Sequence, residues 1–305
     1  MLSVIVPCYN EEEAIPKFYP ELKKALASVR NTYEIIFIDD GSKDNTVKEC
    51  LKLKETDKMI KIVSFSRNFG KEAGILAGLK EAKGDCVVIM DADLQDPPAL
   101  LNEMFKTIKS GEYDSVATRR VDRKGEPPIR SFFARTFYKL INSMIEVEIV
   151  DGARDYRMMN RKMVDAVLSI TEYNRFSKGI FAWVGFKTKY IEFENVERVA
   201  GETKWSFWKL FKYAIDGIVG FTTAPLRIAT YTGTACSIFG FIYMLYIVIK
   251  AMTIGDPVAG YPSLIAIICL LGGIQLLVIG IVGEYLGRTY METKHRPNYV
   301  IKEIL

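Results

Sequence analysis

Through the first 120 residues, short apolar runs rich in β-branched residues alternate with longer stretches of helical spacing. The runs "SVIVP", "YEIIFIDD", "IKIVSFS" and "DCVVIMDAD" are continuously hydrophobic and bounded by polar turns. Strands buried on both faces of a sheet have that character. Between them lie "EEEAIPKFYPELKKALASV", "SKDNTVKECLKLKE" and "GKEAGILAGLKEAKG", which read as helices. Asp44 or Ser42 is placed to cap the second, and Gly84 follows the third. Strands alternating with helices require right-handed crossovers, so the pattern predicts an α/β fold with a doubly wound, mostly parallel sheet.

From about 119 to 200 the pattern is less regular. "RRVDRKGEPPIR" is basic and carries Gly125, Pro127 and Pro128, which predicts a long loop. "SFFARTFYKLINSMI" resumes helical spacing, and "DGARDYRMMNRKMVDAVLSI" reads as a turn, a short extended piece and a helix. After Ser206 the composition changes. In "SFWKLFKYAIDGIVGF", Phe207, Leu210, Phe211, Ala214, Ile215 and Ile218 share one helical face, and Trp205 and Trp208 lie at its start. That is the pattern of a helix lying in a membrane interface. The runs Ile228–Ile249 and Leu264–Leu286 follow, and each, at about 22 residues, is long enough to cross a bilayer. Lys204, Lys209, Lys212 and Arg227 precede the pair and Arg288, Lys294, Arg296 and Lys302 follow it, while the linker between them has Lys250 alone. The positive-inside rule then puts both termini in the cytoplasm of a two-span inner-membrane protein. The chain thus divides into a cytosolic domain over 1–203, an amphipathic juxtamembrane helix over 204–226, and a transmembrane hairpin with a cytosolic tail over 227–305.

Composition narrows the chemistry. A net charge of +4 gives no reason to expect nucleic acid. The five cysteines form no C-x-x-C pair and mostly sit in apolar surroundings, as buried reduced thiols do. The single histidine, His295, leaves little room for histidine acid–base chemistry or a zinc site. The chain begins "MLSVIVPCYN", which has no basic n-region and reads as a strand.

Ligands of such sheets bind at the carboxyl ends of the strands, and polar residues collect at all four: "CYN", "DDGS", "SRN" and "DADLQD". The last packs Asp91, Asp93 and Asp96 into six residues. Carboxylates so close persist if a cation joins them or if the loop is fully solvated. Asp91 and Asp93 could grip one Mg²⁺ or Mn²⁺, hard cations that keep waters and complete their shell with phosphates, and Gln95 could add a neutral oxygen.

The ordered set "VIVPCYNEE", "IDDGSKDNT", "SRNFGKEAG" and "MDADLQDPP" resembles family 2 glycosyltransferases of the GT-A fold. "RDYRMMNRK", "WVGF", "GETKW" and the two C-terminal runs are similar to polyisoprenyl-phosphate glycosyltransferases, among them bactoprenol glucosyltransferases and, more distantly, dolichol-phosphate mannose synthase. The resemblance implies a metal-dependent, inverting enzyme that moves one sugar, with UDP-glucose favoured, from a nucleotide to a polyprenyl phosphate; it also implies a homo-oligomer, possibly a tetramer. Carried over by position, it implies that Pro7, Tyr9, Asn10, Glu11, Asp39, Asp40, Arg67, Lys71, Asp91 and Ala92 meet the nucleotide sugar. Asp91, Asp93 and Gln95 match the metal site, Asp155 and Arg157 the catalytic pair, and Arg119 and Arg130 the arginines that meet the acceptor phosphate. Two departures stand out. Arg154 occupies a place where the family usually has glycine, adding a positive charge, and Ala134 stands where a serine is common, with Ser131 a substitute.

A phosphate monoester, with a second pKa near 6, is already mostly dianionic at neutral pH. It needs no proton removed, so two readings of Asp155 stand open: a base, or an anchor that orients Arg157 or the sugar. Competing functions are a processive polysaccharide synthase and a non-catalytic membrane scaffold. The chain lacks the Q-x-x-R-W motif of the first and retains both Asp91 and Asp93, whose loss would mark the second.

Overall fold

The computed structural model describes residues 1–120, 142, 150–193, 219–220, 222–254 and 260–305. They form two compact units: residues 1–220 with 296–305, and residues 221–295. The first is built on an eight-stranded sheet: β1 (Leu2–Cys8), β2 (Tyr33–Asp39), β3 (Ile60–Phe65), β4 (Cys86–Ile89), β5 (Ser115–Arg120), β6 (Ala153–Asn160), β7 (Thr188–Phe193) and β8 (Ile301–Ile304). Their spatial order is β7-β5-β6-β4-β1-β2-β3-β8. β4, β1, β2 and β3 run parallel, as do β5 and β7; β6 is antiparallel to both its neighbours, and β8 is antiparallel to β3. The sheet is therefore α/β and mostly parallel, as the alternation of strands and helices predicts.

Helices α1 (Ile15–Val29), α2 (Thr46–Thr56), α3 (Lys71–Glu81) and α4 (Leu101–Lys109) provide the crossovers, and α5 (Arg161–Ser169) and α6 (Ser177–Trp183) follow β6. Strand alternation decides which helix each residue meets. Val4 and Val6 of β1 join Phe18, Leu22 and Leu26 of α1 and Leu101 and Met104 of α4 in one buried core. Ile5 and Pro7 point the other way, toward α3, where Gly78 and Gly74 leave the space they fill. At α2 the Asp44 carboxylate accepts the Thr46 N–H at 3.0 Å, closing the helix start. Cys8, Cys50 and Cys86 are buried free thiols and Cys236 is a half-buried one.

Three strands lie beyond the sequence reading. β5 falls at the end of the regular stretch, just before the predicted loop, β7 falls in the stretch it leaves irregular, and β8 falls in what it takes for a tail. The Arg161 side chain, at the start of α5, donates to the carbonyls of Ala82 and Gly84, tying β6 to the α3–β4 turn.

The second unit contains α7 (Ala224–Ile254) and α8 (Tyr261–Thr293). Both hold the expected apolar runs, but among the described residues only Leu270–Thr293 is long and apolar enough to cross a membrane. The expectation of two spans is met here by one candidate. Residues of the expected interface helix before Val219 lie outside the described residues, as do Arg130, Ser131 and the rest of the expected loop after Arg120.

A Cβ placed at Gly78 would overlap Ile5 Cγ2. Gly78→Ala should therefore destabilise the chain by about 1–3 kcal/mol, despite alanine's better helix propensity. A thermal midpoint equal to wild type would show that α3 does not need this close approach.

Candidate active site

Parallel pairing of β1 with β2 and β4, and of β2 with β3, brings the carboxyl ends of four strands to one edge. β6 adds the decisive residue. Its register, Cys86 opposite Asn160 and Ile89 opposite Arg157, sends its first residues past the end of β4. Asp155 thereby arrives beside the loop that begins at Asp91.

The answer to the carboxylate crowding is visible there. The Lys71 ammonium, on the first turn of α3, lies 2.8 Å from Asp91 Oδ2 and 2.7 Å from Asp155 Oδ2. Arg154 Nε donates to Asp96 Oδ1 at 3.0 Å, and its Nη2 lies 3.4 Å from Gln95 Oε1. Two cations of this chain thus join the acidic loop. Within that loop Asp93 Oδ1 accepts the Gln95 N–H at 3.1 Å, and Leu94 takes a left-handed conformation, φ 58°. Ala92 is buried.

Charge and burial act against each other in this cluster. Burial works to raise the Asp155 carboxyl, but the charges of Lys71, Lys178 and Arg154 outweigh it and hold the group well below the usual carboxylate range. Lys71, by the same pairing, is held above the usual ammonium range against its own burial. Burial pushes Asp96 up to about 6 even with Arg154 on it.

The residues expected to meet the nucleotide form an interlocked pair of loops. Pro7 and Tyr9 are half-buried at the end of β1. Asn10, φ 54°, donates its N–H to Ser42 Oγ at 2.9 Å and accepts the Lys43 N–H at 2.9 Å; the Glu11 N–H reaches Thr46 Oγ1 at 2.8 Å. Asp39 is buried, one oxygen accepting the Ser42 N–H at 3.0 Å and the other the Ser64 hydroxyl at 2.7 Å. Asp40 accepts the N–H groups of Phe69 at 2.6 Å and Gly70 at 2.9 Å. Here both acids shape loops, each oxygen already holding a donor of the chain itself. Gly41, φ 67°, allows the closeness, since a Cβ there would overlap the Arg67 carbonyl carbon. Arg67 is exposed, its guanidinium 4.0 Å from the centre of the Phe69 ring.

Residues 3–168 match the family described as "Glycosyl transferase family 2", and residues 224–289 match "GtrB C-terminal hairpin". The chain belongs to glycosyl transferase family 2. It is 46% identical over 303 residues to the protein CsbB of Bacillus subtilis (strain 168), covering 99% of this chain and 92% of that protein. It is 42% identical over 303 residues to a prophage bactoprenol glucosyl transferase homolog of Escherichia coli (strain K12), covering 99% of each. A mannosyltransferase from Pyrobaculum calidifontis, solved with GDP-Man and Mn²⁺, superposes over 93% of this chain and 86% of its own at 17% identity, with a TM-score of 0.46.

Family 2 chemistry raises the question of a metal. Among the described residues no group of three or more histidine, cysteine, aspartate or glutamate side chains gathers to hold one. The donor set nevertheless fits a hard divalent cation that takes its remaining ligands from water and substrate phosphate. Asp91 and Asp93 supply carboxylate oxygens on one loop, and the Lys71 contact with Asp91 is through Oδ2. Gln95 already meets Arg154 through its amide oxygen.

Two expected residues sit elsewhere. Arg157 is buried beneath α6, with its guanidinium 4.7 Å from the Phe181 ring centre and Nη1 donating to Ser115 Oγ at 3.1 Å. Burial lowers its pKa from the usual guanidinium range, and its Nε has no hydrogen-bond partner. Asp155 pairs with Lys71, where one of the open readings has it orient Arg157. Arg119 lies opposite Ala153 in the sheet, so it is one strand over from Asp155. Its Nε donates to the Asp151 carbonyl at 3.1 Å, and Nη1 lies 3.5 Å from Glu192.

The sequence reading misses the second ring around Asp155. Glu72 follows Lys71 and accepts the Ser177 N–H at 3.0 Å and its hydroxyl, fixing the start of α6. The next residue, Lys178, donates to the Ala153 carbonyl at 2.9 Å and adds its charge to Asp155. Nothing in the spacing announces this, because α6 lies a hundred residues beyond α3.

Burial pushes Glu72 from its ordinary 4.5 up to about 7. An acid raised on folding contributes stability that is fully present below its ordinary pKa and is lost as pH climbs through the folded value. Denaturant titrations should show stability falling from this source between about pH 4.5 and 7, and Glu72→Gln should flatten the slope. A slope unchanged by the substitution would remove Glu72 as its origin.

Proposed function

We propose that the chain transfers glucose from UDP-glucose to a polyprenyl phosphate at the cytosolic face of the membrane, with inversion at the anomeric carbon. The observation that carries this reading is the meeting of Asp91 and Asp155 on Lys71 at the ends of the parallel strands. Identity over nearly the full length with proteins named bactoprenol glucosyl transferase supports both the acceptor and the sugar. The exposed apolar surfaces of α7 and α8, with Phe239 70% and Leu276 72% exposed, support a hairpin that sits in lipid and crosses it twice.

In this reading an oxygen of the acceptor phosphate attacks the anomeric carbon. The bond from that carbon to the donor's diphosphate breaks, and the electron pair leaves with UDP. No proton has to be removed, because the acceptor is already mostly dianionic. Asp155, held ionised by Lys71 and Lys178, is a weak proton acceptor. It serves instead as a fixed negative charge that faces the sugar as positive charge develops on it, and as the anchor of Lys71. Asp91 and Asp93, with Gln95 beside them, would hold Mg²⁺ or Mn²⁺, which when bound neutralises the departing diphosphate. The interlocked loops around Asn10 and Ser42 and the Arg67–Phe69 pair would seat the nucleotide.

Membranes bearing the enzyme, given radiolabelled UDP-glucose, GDP-mannose or UDP-N-acetylglucosamine, should move label into the lipid fraction from UDP-glucose. Label from another donor alone would change the sugar; label from none would overturn the activity. Asp93→Asn should lower the rate at least about a hundredfold, and excess chelator should do the same to wild type. Full turnover in excess chelator would refute the metal assignment.

A further inference from the structure

The chain returns after α8 to complete the sheet, and what it does there reaches the donor end of the site. β8 pairs antiparallel with β3, matching Val63 with Ile304, Ser64 with Glu303 and, past an irregularity, Phe65 with Ile301. Just beyond β3, the Ser66 N–H donates to the Val300 carbonyl at 3.0 Å. The residue before Val300 is Tyr299, whose ring stacks on Phe65 with centroids 4.9 Å apart and planes 13° from parallel. Phe65 in turn meets Phe69 edge-on, at 5.9 Å and 86°. Phe69 carries the Arg67 guanidinium at 4.0 Å.

These contacts form one continuous stack, Tyr299 to Phe65 to Phe69 to Arg67. It holds the loop over residues 66–70 from one side while Asp40 holds the backbone of Phe69 and Gly70 from the other. Arg67 is exposed and donates to its own neighbour, the Asn68 carbonyl. Its place therefore depends on the ring beneath it.

We propose that Tyr299 is a positioning residue for the donor site: through Phe65 and Phe69 it fixes Arg67 where the nucleotide binds. The proposal rests on the reading of Arg67 as a nucleotide contact. The segment after α8 then contributes to donor affinity as well as to the sheet edge. A ring that only sealed that edge would affect unfolding and leave nucleotide binding alone.

The test uses the full-length enzyme in detergent, with UDP as the calorimetric probe and UDP-glucose in steady-state assays. Tyr299→Leu and Tyr299→Met keep apolar bulk and remove the ring. Each should raise the Kd for UDP and the KM for UDP-glucose about three- to tenfold, the range expected for a lost aromatic pair. The kcat and the KM for polyprenyl phosphate should stay near wild type. Tyr299→Phe should retain wild-type affinity. Arg67→Ala should weaken UDP binding, and adding Tyr299→Leu to it should cost little more, because the stack then has nothing to position. A lower thermal midpoint with UDP affinity within twofold of wild type would overturn the proposal. So would loss of folding in both ring-less variants, which would make Tyr299 a general determinant of the fold. If Arg67→Ala leaves UDP affinity unchanged, the assignment of Arg67 to the donor is what fails, and the proposal falls with it.

Discussion

The Lys71 ammonium, 2.8 Å from Asp91 and 2.7 Å from Asp155, is the contact on which the rest of the site depends. Asp91 belongs to the loop after a parallel strand and Asp155 to the start of an antiparallel one. Nothing in either segment would hold two half-buried carboxylates together without a positive charge between them. Lys71 supplies it from the first turn of α3, a helix packed so closely on β1 that a Cβ at position 78 would overlap Ile5. The charge therefore stands on a rigid support. Removing it would leave two partly desolvated carboxylates facing each other, which costs far more than a surface ion pair contributes.

The antiparallel insertion of β6 makes this possible. In a wholly parallel sheet every strand would present its carboxyl end at the site, and residues at a strand's beginning would lie on the opposite edge. Reversing β6 brings its first residues to the active edge, so that Arg154 and Asp155 enter side by side. Arg154 goes to Asp96 and Gln95, and Asp155 to Lys71. Tyr156 and Arg157 continue into the interior, where both are buried. The tetrapeptide "RDYR" thus divides into a pair that faces the chemistry and a pair that belongs to the packing.

That division marks the limit of what the sequence discloses. The four buried parallel strands are legible because each is a continuous apolar run, and the polar tips are legible because they interrupt such runs. β5 and β7 pair at the far edge of the sheet, and β8 is four residues long beyond a long apolar helix. Their hydrophobic signal is weak for those reasons. The acidic character of "DADLQDPP" poses the question of a cation. Which cations answer it, Lys71 and Arg154, depends on a register between segments far apart in the chain. Asp39 and Asp40 show the converse. Their place in a motif suggests ligand contacts, whereas their surroundings give each carboxylate two donors from the chain itself.

The charges of the cluster constrain what can enter it. Asp91, Asp93, Asp96 and Asp155 carry four negative charges when ionised, while Lys71, Arg154 and Lys178 carry three positive ones, leaving one net negative charge. All three cations are engaged with carboxylates or carbonyls of the chain. Two phosphate-bearing substrates cannot meet against that balance unaided, because each would add negative charge to a region already short of free positive charge. The divalent cation proposed for Asp91 and Asp93 would turn the sum to one net positive charge and offset part of the diphosphate's charge. The acceptor phosphate still needs compensation from outside the cluster. Arg119 lies one strand from Asp155. Its side chain is 42% exposed and its ion pair with Glu192 is long, at 3.5 Å. An arginine held that loosely can exchange a carboxylate for a phosphate at little cost, which the tightly paired Lys71 cannot. Burial separates the two kinds of cation: Lys71 and Arg154 assemble the carboxylates, while Arg119 stays half exposed at the sheet beside them.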